Sequence, residues 1–125
     1  MISKVGQIML YVHDQDATAA FWTEKMGFAV KADQENDGMR WIEIAPQEDT
    51  ETSIVLHDKD FIAKMDTGLN LETPSLLFYS AHFDQLRDDL VDKGVTVGEI
   101  VDMPTGRTFN FADPEGNYFA VLEMA

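Results

Sequence analysis

The chain contains no cysteine, which excludes disulfide frameworks, thiol nucleophiles and thiolate metal sites. Positive charge is scarce: 9 Lys and Arg stand against 23 Asp and Glu, giving a formal net charge of -14. A polyanion such as nucleic acid would be repelled, and no basic patch along the chain offsets this. The acidity reads as a solvated surface that keeps the protein soluble. No apolar run approaches the ~20 residues that would span a bilayer, so no membrane partner is expected. The opening stretch MISKVGQIMLYVHDQD lacks a small-residue cleavage site and alternates like a strand, which points to a cytoplasmic protein.

What remains is an ordinary globular composition of 125 residues, 45% hydrophobic and 26% charged, enough for one domain with one core. Residues 4–13 alternate as a strand, Asp14 to Asp16 supply helix-start acceptors, and ATAAFWTEKM reads as a helix ended by Gly27. GFAVKADQ, MRWIEIAP and TSIVLHD read as three further strands separated by polar turns. The stretch 58–73 reads as a linker with a helical turn at DFIAKM, and its slight proline content makes it a connection rather than a hinge. PSLLFYS then reads as a strand, FDQLRDDLVDKG as a helix stopped by Gly94, and VTVGEIVDM, GRTFNFAD and NYFAVLEM as three strands.

The order is β-α-β-β-β twice, so the sequence predicts an internal repeat: module one at 1–57, the linker at 58–73 and module two at 74–125. A shift of about 68 residues superposes Gln7 on Ser75, Tyr11 on Tyr79 and Asp14 on His82. Nearly the same shift puts Gly27 on Gly94 and Trp41 on Phe109. One amphipathic helix covers one face of each four-stranded sheet, leaving the other face to be covered. The two uncovered faces can meet around a pocket.

FWTEKMGF (21–28) and DPEGN (113–117), on this doubled frame, resemble motifs of the vicinal oxygen chelate superfamily. That superfamily includes glyoxalase I, bleomycin- and fosfomycin-resistance proteins and extradiol dioxygenases. The resemblance covers essentially the whole chain and implies an α+β fold: two tandem βαβββ modules forming a curved, glyoxalase-like mixed β-sheet pocket with helices outside. Both motifs are also explained by structure alone, as core aromatics at a helix end and as a proline-glycine turn, so they identify fold rather than activity.

Metal-dependent relatives place four histidine, glutamine or glutamate ligands on the inward faces of the first and last strands of each half. Carried over, these positions fall on Gln7, on Val55 or His57, on Ser75 and on Ala120. Only Gln7 is a family ligand type as it stands. Glu123 is three residues from Ala120 and points to the other face. A site of Gln7 and His57 alone would lack the donors that normally secure a divalent ion, so no metal or other cofactor is expected, with those two residues as the weak alternative. His13 and His82, beside the two helix starts, read as polar caps or surface residues.

If Gln7 faces inward, so do Met9 and Tyr11, and in the second module Ser75, Leu77 and Tyr79. The third strands are expected to present Trp41 and Glu43, and Phe109 and Phe111, with Arg107 nearer the mouth; the last strand adds Tyr118 and Ala120. This is an apolar, aromatic cavity with a few polar groups, the usual make-up of a small-molecule site, unless the large side chains simply fill it. Glu43 and Arg107, if inward, require each other or a polar ligand; a parity error of one residue would leave both exposed. Three functions follow from the resemblance. One is metal-independent sequestration of a small amphipathic or aromatic molecule, as in bleomycin resistance. The others are a metal-dependent lyase, isomerase or dioxygenase, and a degenerate member acting through protein interaction. A homodimer is compatible with each.

Overall fold

Strand β1 (Gln7–Val12) ends where Asp14 turns extended and its carboxylate accepts from Ala17 N at 2.9 Å, capping helix α1 (Gln15–Ala20). The computed structural model describes residues 1–66 and 68–124, and the chain divides into two compact units, Met1–Thr73 and Pro74–Ala125. In the first unit α1 continues as a π-helical stretch, Phe21–Lys25, which swings Phe21 and Trp22 into the core. Gly27, at φ 76°, then reverses the chain, and Phe28 N donates to Trp22 O while the two rings pack at 4.9 Å. Strands β2 (Ala29–Asn36) and β3 (Met39–Ala45) form a hairpin closed by Asp37 and Gly38, both at positive φ as a type I′ turn requires. Strand β4 (Ser53–Asp58) completes a sheet of order β1-β4-β3-β2, with β1 and β4 parallel. Its core is Leu10, Val12, Ile42, Ile44, Ile54 and Leu56 beneath Phe21 and Trp22. The stretch expected to be a linker contains helix α2 (Lys59–Lys64), capped by Asp58 and packed on β1 and β4; residue 67 lies outside the described residues.

The second unit repeats the plan with β5 (Leu77–Ser80), α3 (Phe83–Asp92), β6 (Val101–Met103), β7 (Gly106–Ala112) and β8 (Tyr118–Glu123), in order β5-β8-β7-β6. Strand β6 is much shorter than expected because only its last three residues pair continuously with β7. Further back, Val97 forms an isolated bridge to Phe111 and Gly98 N donates to Asn110 O at 2.7 Å. The core is aromatic: Phe83, Phe109, Phe111 and Phe119 with Leu90 and Val121. The DPEGN turn is organised by Asp113, only 6% exposed, whose carboxylate accepts from Glu115 N, Asn117 N and Asn117 Nδ2. His82 stands at the start of α3 without a side-chain cap hydrogen bond, and His13 Nδ1 lies 3.3 Å from Asp60. No helix among the described residues is long and apolar enough to cross a membrane.

Candidate functional site

Residues paired across strands share a face, so the register shows what each sheet presents on the side away from its buried core. In the first unit three rows lie on that face: Gln7 beside Ser53, then Met9, Val55 and Glu43, then Tyr11, His57 and Trp41, with Ser53 and Val55 buried between their neighbours. Glu43 is the polar centre of this face. Gln7 Nε2 donates to Glu43 Oε2 at 3.4 Å, and the buried Ser53 hydroxyl donates to the same oxygen at 2.5 Å. The Tyr11 and His57 rings stack with centroids 5.8 Å apart. Burial lowers the His57 pKa, and its Nδ1 is buried with no hydrogen-bond partner among the described residues.

In the second unit the corresponding rows are Leu77, Ala120 and Asn110, then Tyr79, Leu122 and Thr108. Tyr118 joins this face beside Ala112, and Val101 joins through its pairing with Thr108. Leu77, Tyr79 and Tyr118 are 51%, 67% and 61% exposed, high values for apolar side chains on a sheet. Leu77 also lines a concavity of about 470 Å³, together with Ser75, Met103, Asn110, Ala120 and Leu122.

Three expected residues lie elsewhere. Phe109 and Phe111 are 1% and 0% exposed in the core under α3, not on the open face. Arg107 shares their side: it donates to Glu123 at 3.0 and 2.6 Å and to Asp84 of α3 at 3.2 and 2.8 Å, over the Phe83 ring. These hydrogen bonds hold the Asp84 and Glu123 carboxyls below their ordinary pKa values. Arg107 is therefore no partner for Glu43. The cause is a one-residue change in the repeat: Asn110 pairs with Ala120 as Glu43 pairs with Val55, so the counterpart of Trp41 is Thr108 and not Phe109. A single-residue slip exchanges the two faces of a strand. Gly27 and Gly94, one residue closer together than Gln7 and Ser75, carried this signal in the sequence. Asn110 and Thr108 were missed through that slip, whereas Leu122 and Ser53 were findable by parity from Ala120 and Val55, and Val101 and Met103 lie on β6, whose faces sequence reasoning left unassigned.

The metal positions implied by the resemblance do not fit a divalent ion. Val55 in the first unit and Ala120 in the second carry no donor atom, and Ala120 is flanked on its face by Leu77 and Asn110. Glu123 is turned away toward Arg107. Among the described residues no group of three His, Asp or Glu side chains gathers so as to hold a metal ion.

Two βαβββ units, each with one face of its sheet left open and lined by aromatic and small side chains, define a class of doubled open-sheet α+β proteins. The chain belongs to the Glyoxalase/Bleomycin resistance protein/Dioxygenase superfamily, whose family model matches residues 4–121. It is 32% identical to YetH of Bacillus subtilis (strain 168) over 125 residues, covering 98% of this chain and all of that protein. Among solved structures, TnmS3, an antibiotic binding protein from Streptomyces sp. CB03234, is 30% identical with a TM-score of 0.83, covering 99% of this chain and 98% of that one. A superfamily member from Sphaerobacter thermophilus DSM 20745 shares the fold at TM-score 0.81 and 24% identity, over 98% of both chains.

Proposed function

We propose that the protein binds a small amphipathic or aromatic molecule without a metal, sequestering it rather than transforming it. The observation that carries this is the open face of the second unit, where exposed Leu77, Val101 and Met103 line a concavity of about 470 Å³ and Tyr79 and Tyr118 stand exposed on the same face. Such a volume lies within the ~300–1,000 Å³ of small-molecule sites, and apolar surface left uncovered in this way marks a place where something binds. The polar groups there, Ser75, Asn110 and Thr108, are neutral donors and acceptors suited to orienting a ligand. None of them is a general base or a nucleophile with an activating partner. The likeness to TnmS3, an antibiotic binding protein, supports the same assignment. A homodimer stays part of this proposal on the strength of the family resemblance.

The test is titration of chelator-treated protein with a neutral planar aromatic alcohol, 9-anthracenemethanol, followed by calorimetry and by the rise in melting temperature that a native-state ligand produces. Ala120→Trp fills the floor of the concavity from a half-exposed position and is expected to abolish binding while the far-UV spectrum is kept.

A further inference from the structure

The open face of the first unit carries a feature that binding of a neutral ligand leaves unused. Both hydrogen bonds to Glu43 end on Oε2, and among the described residues Oε1 accepts none. Gln7 and Ser53 are neutral donors, so they fix the direction of the carboxylate without cancelling its charge. No lysine or arginine among the described residues forms an ion pair with it: Arg40 is taken by Asp16 and Asp33, and Arg107 by Asp84 and Glu123. His57, whose pKa is lowered by burial, supplies no positive charge at neutral pH.

What stands beside the carboxylate is aromatic. Trp41 lies two residues before Glu43 on the same face of β3, a spacing of about 7 Å along a strand. The stacked Tyr11 and His57 rings continue the same row. A half-exposed carboxylate with one oxygen free, next to an indole, is the arrangement that receives a protonated amine: an N–H donates to the free oxygen while the positive charge lies against the ring. A neutral ligand leaves Glu43 to water, and an anionic one is repelled.

We infer that Glu43 makes the open face of the first unit a subsite for an organic ammonium group, with Glu43 Oε1 as the acceptor and Trp41 as the aromatic wall. This rests on the proposal that the protein binds small amphipathic molecules, and it gives the first unit a preference of its own for a positively charged one.

The experiment compares three probes of one shape, 2-naphthylmethylammonium, 2-naphthylmethanol and 2-naphthoate, by calorimetry on wild type, Glu43→Gln and Trp41→Leu. Melting curves establish that each variant is folded. Wild type is expected to bind the ammonium about ten-fold more tightly than the alcohol, the size of one charge-assisted contact in a partly exposed site, and the naphthoate weakest. Glu43→Gln should bring the ammonium down to the level of the alcohol, and Trp41→Leu should weaken the ammonium several-fold, the share of a cation–π contact. A preference for ammonium that survives Glu43→Gln, or naphthoate binding as well as ammonium, overturns the assignment. Equal binding of alcohol and ammonium overturns the subsite and leaves the small-molecule proposal standing. If none of the three binds wild type, both fall.

Discussion

Phe109 and Asn110 are adjacent on β7 and face opposite ways, so truncating each to alanine measures which side of that strand belongs to the core. Phe109 is 1% exposed and its ring lies 5.1 Å from that of Phe83. Removing a phenylalanine from such a position costs about 3–5 kcal/mol, because the transfer free energy is lost and the hole it leaves cannot close fully. Asn110 is exposed and its side chain makes no hydrogen bond among the described residues, so Asn110→Ala should stay within about 0.5 kcal/mol. For a chain of 125 residues the unfolding entropy corresponds to about 4 °C per kcal/mol. Phe109→Ala is then expected to lower the melting temperature by roughly 12–20 °C and Asn110→Ala by about 2 °C or less. Urea unfolding followed by circular dichroism gives the free energies directly. Equal losses for the two variants, or a Phe109→Ala loss below about 1 kcal/mol, would falsify the register of β7 on which the open face depends.

Other consequences are open to the same methods. Asp113→Ala removes three hydrogen-bond acceptor contacts from a nearly buried turn and should cost about 2–3 kcal/mol, with Asp113→Asn costing less because it keeps one acceptor oxygen for the two backbone donors. A loss under about 0.5 kcal/mol for the alanine variant would show that the turn forms without its carboxylate. The Arg107 network gives a pH signature. Its hydrogen bonds lower the Asp84 and Glu123 pKa values from their ordinary 3.8 and 4.5, so the stability they contribute is complete above that range and is lost as pH falls through the lowered values. Arg107→Leu should therefore destabilise the protein at about pH 6 and flatten the acid limb of its stability curve; an unchanged acid limb contradicts the pairing.

Much of this fold was legible because local chemistry and periodicity agreed. Asp14 before a helical stretch, glycine after it and Asp-Pro-Glu-Gly-Asn before the last strand each demand one backbone conformation, and each is found. The parity of β1 and β3 was readable too, because Leu10, Val12, Ile42 and Ile44 mark the buried face of the first sheet. Strand β7 misled for a physical reason. It carries aromatic residues toward the core, where α3 needs bulk, while its open face bears Thr108 and Asn110, which a search for aromatic pocket walls passes over. The bond between Ser53 and Glu43 was not legible, since hydrogen-bond direction depends on side-chain rotamers that periodicity does not encode. Edge strand β6 was expected to start too early, because the alternation in VTVGEIV runs through Gly98 and its neighbours, which make only an isolated bridge and single hydrogen bonds before regular pairing begins at Val101.

Metal-free binding of an aromatic small molecule on the open face of the second unit, as proposed, is open to one decisive experiment. Calorimetric titration of 9-anthracenemethanol into chelator-treated wild type and Ala120→Trp, with and without added Ni²⁺ or Zn²⁺, tests it most directly. Saturable binding to wild type is expected, unchanged by the added ions and abolished by Ala120→Trp. Binding that appears only when the metal is added, or that Ala120→Trp leaves intact, would contradict it.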